Sequence, residues 1–298
     1  MMTRSDYPSG YPETPLLFIR DMQDRFVAIL EIAMPNRAFA SCIAFVAGLV
    51  MTGNISAPIA FFGILAILTT YSSQAVYNNI RDVEGDKINA SGRPLANGTL
   101  SIGFAWKLMF ALICCGFVFA YLSSPLVVVA NAAWVFLGIA YSRFTKSMGM
   151  LSYVTLATTH LALPFASAYL IRGVFDYRLL MVIVFIYVTE VLSLSIKDYK
   201  DVEGDRKMGM RTLPIMLGSQ NAARLTFLGF CMPLALVWLP WEILHLSSIF
   251  LVIYLSVGIF RCFLGIKLLT DPTPGQAGEI LKKFRYVLML QMLAWCLS

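Results

Sequence analysis

Charge is what this sequence has least of. Asp, Glu, Lys and Arg make up 13% of its 298 residues and hydrophobic residues 58%; a soluble chain averages about 25% charged and about 45–50% apolar. That shortage excludes disordered, coiled-coil and collagen-like classes and leaves too few polar residues to coat soluble domains. Histidine is scarcer still, with only His160 and His245, so a multi-histidine metal centre is out. The six cysteines (Cys42, Cys114, Cys115, Cys231, Cys262 and Cys296) lie in apolar stretches without CxxC spacing. That pattern suits buried thiols, not a zinc knuckle or a disulfide framework. No GxxxxGK[ST] loop occurs, which argues against an ATP-driven pump. The net charge of +6 comes without a basic soluble domain, which argues against a nucleic-acid partner. Residues 1–15 lack a basic start leading into an apolar core, so no cleavable signal is expected.

What is abundant is long apolar sequence. A membrane-spanning helix needs about 20 mostly apolar residues. Nine candidates lie near 37–54, 58–77, 103–122, 125–142, 149–171, 179–197, 222–240, 246–266 and 285–298. The expected fold is all-α: one polytopic bundle over 1–298, with 1–35 as a polar N-terminus plus an interfacial helix and 36–298 as the spans. Residues 16–33 mix apolar and charged positions at helical spacing, as an interfacial helix or a helix packed on the bundle's end would. Against these spans, 21 of the 23 Lys and Arg fall on one side, and only Arg172 and Arg178 on the other. The positive-inside rule therefore puts the N-terminus and the even-numbered loops in the cytoplasm.

The few acids are not scattered. Asp-Val-Glu-Gly-Asp occurs twice, at 82–86 and 201–205, each copy closing an apolar segment. A basic residue follows each (Lys87, Arg206), then an Arg (Arg93, Arg211), a Pro (Pro94, Pro214) and a Gly (Gly98, Gly218). Four spans separate the copies, so both face one side, as in a parallel duplication around a cavity. On a helix Asn78, Asp82 and Asp86 fall within about 80° of one another, and Asp198, Asp201 and Asp205 within about 60°. Carboxylates that close repel unless a cation sits between them. An oxygen-only set points to Mg²⁺, held by one or two carboxylates plus substrate phosphates. A calcium loop fits poorly, because Gly is fourth in each repeat and not sixth.

These residues resemble a known family. NNIRDVEGD (78–86) and KDYKDVEGD (197–205) look like the two aspartate-rich motifs of the UbiA-type intramembrane prenyltransferases. RPLANG (93–98), RTLPIMLG (211–218), YSRFTK (141–146) and the Pro35-Asn36 element extend the likeness over nearly the whole chain. Three positions depart from the pattern. Asn79 stands where the family often has Asp, and Met34 where an Arg usually precedes the Pro. Lys146 lies five residues after Tyr141 instead of four, so Arg143 or Lys146 could serve.

The resemblance implies an isoprenoid transferase of the membrane. A polyprenyl diphosphate, geranylgeranyl for preference, would lay its tail in the bundle with its diphosphate at the cytoplasmic rim. Mg²⁺ held by Asp82, Asp86, Asp198 and Asp205, with Asn78 and Asp201 beside them, would bridge its oxygens. Arg93, Lys146, Lys207 and Arg211 would neutralise the leaving group, with Asn36, Tyr141, Arg143 and Lys197 as further contacts. The acceptor suggested by the motifs is geranylgeranylglyceryl phosphate. Ser193 and Leu194 stand where that subgroup usually has an Arg-Glu pair, which keeps aromatic acceptors open. Lys197, Lys200 and Arg206 are cations available to a phosphate acceptor. Glu190, a carboxylate inside a span, is a functional suspect: it could take the acceptor's proton or pair with a buried cation. His160 reads as a core or pocket-lining residue. Phe136, Tyr141, Tyr153 and Tyr187 read as packing first and as cation-stabilising walls second. From a different class, the rival is an ion-coupled transporter, which would want its charges near the bilayer midplane. Membrane lipid is the expected surroundings, and no obligate protein partner is evident.

Overall fold

The computed structural model describes residues 15–53, 56–88, 92–173 and 175–298, with side chains from Met22 onward. Residues 1–14, on which the signal expectation falls, and 89–91 of the first repeat lie outside them. Among the described residues the chain is helical and has no strand. The order is α1 (Pro15–Ala33), α2 (Phe39–Met51), α3 (Ala57–Ile88), α4 (Ile102–Ser123), α5 (Pro125–Arg143), α6 (Met150–Ala157) and α7 (Leu163–Arg172). It continues with α8 (Tyr177–Glu190), α9 (Val202–Lys207), α10 (Leu213–Leu217), α11 (Ser219–Leu236), α12 (Trp238–Ile243), α13 (Ser248–Thr270) and α14 (Pro274–Cys296).

Local chemistry sets the boundaries. Ser101, Ser124, Asp176, Ser247 and Thr273 each accept a backbone N–H at a helix start, the usual role of short polar side chains there. Pro125 and Pro274 follow two of these caps, where a missing N–H costs nothing. α1 ends at Met34, whose φ of 48° is left-handed; Pro35 then blocks continuation and opens a short 3₁₀ turn, Pro35–Ala38. Pro164 cannot donate to the turn before it, and the chain there opens into a π turn, Thr158–Ala162, between α6 and α7.

Eight stretches among the described residues are long and apolar enough to cross a membrane. The ninth expected span is longer than anticipated: α14 starts at Pro274, and its first half carries Glu279, Lys282, Lys283 and Arg285. Its second half is core, with Met292, Ala294 and Trp295 almost fully buried. The expected span at 58–77 runs on through Asp86 as one helix. The expected span at 179–197 stops being α-helical at Glu190 and becomes a 3₁₀ helix, Ser193–Asp201. Ser193 and Ser195 promote that change by donating to the Thr189 and Leu192 carbonyls.

α14 packs on α2, which also packs on α3 and α7, so the last helix meets the first expected span and the bundle closes around an interior space. Outward positions are apolar as well: Phe110, Val129, Phe136, Leu180, Val252 and Ile259 are exposed, the pattern of a surface solvated by lipid. Between helices, polar contacts join the packing: Thr70 Oγ1 donates to Asn131 Oδ1 at 2.7 Å and Gln74 Nε2 to the Trp134 carbonyl at 2.8 Å. α1 buries Ala28, Ile32 and Ala33 against the bundle while Phe26 and Val27 point outward. It is thus packed on the bundle, with a second apolar face left for the membrane.

Candidate active site

The two repeats come together at one end of the interior space. Gly85 of the first copy stands so near Met208, just past the second, that a Cβ there would lie 2.6 Å from the sulfur. Between the copies opens a cavity of about 260 Å³. Asn78, Asp82, Asp198, Asp201 and Asp205 line its charged part. Its apolar part is walled by residues including Leu156, Leu161, Ile196, Leu281, Phe284 and Leu288.

Each motif carboxylate but one is matched to a cation. Lys146 Nζ lies 2.6 Å from both oxygens of Asp82, and Asn78 Nδ2 donates to Asp82 Oδ2 at 2.7 Å. Arg93 Nη1 reaches Asp86 Oδ2 at 2.9 Å. Lys197 Nζ bonds Asp198 Oδ1 at 2.5 Å, while the Tyr153 hydroxyl donates to Oδ2 at 2.6 Å. Lys200 pairs with Asp201 at 3.0 Å. Asp205 is buried and makes no ion pair among the described residues. Lys197 also lies over the rings of Tyr141 and Tyr153, at 5.7 and 5.4 Å from their centroids. Lys146, in the turn after α5, feels burial, which disfavours its charge. Asp82 and Tyr141 outweigh that and hold its pKa above the ordinary lysine value.

Several expectations need correction. Glu190 does not face the cavity: Arg261, fully buried in α13, donates to Glu190 Oε1 at 2.7 Å and to Gln291 Oε1 at 2.6 Å. The catalytic role expected for Glu190 therefore gives way to the buried-cation alternative. Asn36 is exposed, and its neighbours Met34 and Arg37 line the cavity instead. Of the two basic residues after Tyr141, Lys146 lines the cavity, whereas Arg143 lies exposed over the Phe144 ring. Lys207 points outward to Glu203 at 3.1 Å, and Arg211 is exposed. Asp86 is held by Arg93 behind the lining. Asn79 ties α3 to α1 through the Ile32 carbonyl at 3.1 Å. Phe136 faces outward, and Tyr187 meets Thr158 at 2.7 Å.

Residues the sequence reading missed are Arg37 and Arg285, both cavity-lining and read there only as marks of topology. Adjacency of Arg37 to the Pro-Asn element was the available signal.

The donor set can be tested for a divalent ion. Among the described residues no three acidic, His or Cys side chains form a ready cage. Aspartates from two walls of one cavity fit instead the way Mg²⁺ is held, by one or two carboxylates completed by substrate phosphates.

The UbiA prenyltransferase family matches residues 38–289. The chain belongs to this family. It is a prenyltransferase and an integral multi-pass membrane protein, which sets aside the ion-coupled transporter. It is 28% identical over 245 residues to a digeranylgeranylglyceryl phosphate synthase of Methanoculleus marisnigri, covering 78% of this chain and 86% of the relative. It is 28% identical to one of Pyrococcus furiosus, covering 90% and 97% of the two chains. A solved UbiA homologue from Archaeoglobus fulgidus, bound to GPP and Mg²⁺, superposes with a TM-score of 0.67 at 16% identity, covering 90% of this chain and 98% of that one.

Proposed function

We propose that this chain transfers a geranylgeranyl group from its diphosphate to the free hydroxyl of geranylgeranylglyceryl phosphate, as in ether-lipid synthesis, at the cytoplasmic face of the membrane. The observation that carries the reading is the meeting of both Asp-rich repeats at the charged end of one otherwise apolar cavity. The names of the relatives support the acceptor, and the basic loops support the orientation.

Mg²⁺ held by Asp82 and Asp198, with Asn78, Asp201 and Asp205 beside them, would draw off charge from the departing diphosphate. Arg93, Lys146 and Lys197 add fixed positive charge at the same end; once phosphate oxygens are present each has an anion besides its carboxylate. The apolar wall receives the prenyl tail and excludes water, so the allylic carbon meets the acceptor and not hydroxide. The Tyr141 ring offers an electron-rich face to the cationic carbon as the C–O bond to diphosphate breaks. The acceptor oxygen then forms the ether bond, and its proton leaves to the diphosphate oxygens.

Protein in lipid nanodiscs, labelled geranylgeranyl diphosphate, Mg²⁺ and a panel of acceptors test the reading. Ether product with geranylgeranylglyceryl phosphate is expected, lost in Asp82→Ala and Asp201→Ala variants. Product with aromatic acceptors alone would overturn the acceptor.

A further inference from the structure

We propose that Arg37 and Arg285 form an anion subsite for the phosphate of the acceptor, beside the diphosphate site. The proposal rests on the phosphorylated-acceptor reading above and adds to it where that phosphate is held.

The first argument is the distribution of charge. Four cations at the motif end have carboxylate partners: Lys146, Arg93, Lys197 and Lys200. Arg37 and Arg285 line the same cavity, yet neither guanidinium has a hydrogen bond or ion pair among the described residues. They are near enough for their charges to act on each other, and Tyr71, also in the lining, feels both. Asp201 is the acid that acts on Arg37, and it is already engaged by Lys200. Two like charges kept together and partly out of water are unfavourable until an anion joins them.

The second argument is placement. Arg37 stands on the 3₁₀ turn Pro35–Ala38, fixed by left-handed Met34 and by Pro35. Arg285 stands on α14, and α14 packs against α2. Neither element carries an Asp-rich motif; the turn packs on α3, α14 packs on the 3₁₀ helix of Asp198, and Arg37 feels Arg93 and Asp201, so the pair sits beside the motif end. A phosphate monoester carries about −1.5 to −2 charges near neutral pH, which two arginines match, and guanidinium can grip phosphate through two parallel bonds. An acceptor anchored there would leave its glyceryl hydroxyl free to lie toward the motif end. A free phosphate or an anionic lipid headgroup shares this chemistry, so the experiment must separate the sources.

Steady-state kinetics on full-length Arg37→Gln and Arg285→Gln variants in nanodiscs provide the test, with Mg²⁺ fixed. Losing one charged hydrogen-bonding partner should raise the KM for geranylgeranylglyceryl phosphate about 10–100-fold. The KM for geranylgeranyl diphosphate should move less than about threefold, the effect of a neighbouring charge that makes no direct contact with it. With dephosphorylated geranylgeranylglycerol, the gap between variant and wild type should narrow, and Arg37→Lys should recover part of the loss. Thermal unfolding checks that each variant is folded. Inorganic phosphate, or phosphatidylglycerol in the discs, should raise the acceptor KM of wild type and have less effect on the variants. An equal rise in diphosphate KM, or a penalty undiminished with the dephosphorylated acceptor, overturns the subsite. If wild type itself ignores the phosphorylated acceptor, the functional reading has failed and the subsite falls with it; normal acceptor KM values in both variants sink the subsite alone.

Discussion

Lys146 holds Asp82 through both carboxylate oxygens, each 2.6 Å from Nζ. The lysine comes from the turn after α5 and the aspartate from the end of α3, 64 residues earlier. This pair charges one wall of the cavity, and the contact with Asp82 keeps the lysine pKa above its ordinary value. The sign follows. A lysine whose pKa is raised on folding contributes fully below the unfolded value of about 10.4 and loses that contribution only as pH rises through the higher folded one. Across pH about 6 to 9 it stays charged. Lys146→Met should therefore lower kcat by about 10²–10³-fold, as loss of a preorganised electrostatic group does. The ratio of wild-type to variant rates should be flat over that pH range. A ratio that collapses near neutrality would mean the working lysine is uncharged.

The carboxylates facing each other across the cavity form no closed cage among the described residues, and that gives a distinct thermal signature. Mg²⁺ alone should barely move the unfolding temperature, because two carboxylates hold it weakly without phosphate oxygens. Mg²⁺ together with a non-hydrolysable prenyl diphosphate analogue should raise it, since only then does a tight complex bias the folded state. Asp82→Asn and Asp198→Asn should abolish that joint shift. Removing metal with EDTA should stop turnover reversibly and leave the protein folded. A large stabilisation by Mg²⁺ alone would contradict a substrate-completed site.

Lys207 and Arg211 test the difference between motif and geometry. Both follow the second repeat in sequence, yet Lys207 faces Glu203 at 3.1 Å with its side chain more than half exposed, and Arg211 is exposed. Exposed pairs of this kind are worth about 0–1 kcal/mol. Lys207→Ala and Arg211→Ala should leave the diphosphate KM within about fivefold of wild type, the ceiling set by that range. Titration of initial rate against geranylgeranyl diphosphate decides it; a rise of Lys146→Met size would return these residues to the site.

Much of this is legible in the sequence. The twin Asp-Val-Glu-Gly-Asp copies, four spans apart, suited one shared mouth, and Asp82, Asp201 and Asp205 do line one cavity. Less legible was anything set by depth or rotation. Arg261 falls near the end of an apolar run, where a long side chain normally reaches for the membrane surface. Its burial depends on Glu190 and Gln291, 71 and 30 residues away in sequence. The pairing of Arg37 with Arg285 was hidden for the same reason, since it depends on the packing of α14 on α2, the helix that follows the Arg37 turn. The switch from α8 to a 3₁₀ helix did leave a mark, in Ser193 and Ser195, whose side chains compete for backbone carbonyls. That switch replaces the α-helical spacing assumed for Asp198 and Asp201 with a threefold one that still keeps positions three apart in line.

Glu190 and Arg261 provide the last prediction, because stability and chemistry should separate there. Arg261 bonds Glu190, Gln291, Ser193 and the carbonyls of Thr189 and Gly229, beside the stacked rings of Phe230 and Phe284. Gly229 permits this approach: a Cβ there would stand 2.6 Å from the Ser193 nitrogen. Removing one member of a buried ion pair costs about 3–5 kcal/mol, since the other charge is left uncompensated, whereas replacing both with apolar groups is often near neutral. Arg261→Met should therefore lower the unfolding temperature sharply, and Glu190→Met/Arg261→Met should recover most of that loss. Phe284 lines the cavity and Ser193 opens the 3₁₀ helix that carries Asp198, so Arg261→Met should also weaken diphosphate binding. Glu190→Gln separates the two roles of the carboxylate. A lowered unfolding temperature with turnover retained in the folded fraction is the expected result. Lost turnover at an unchanged unfolding temperature would place Glu190 in the chemistry after all.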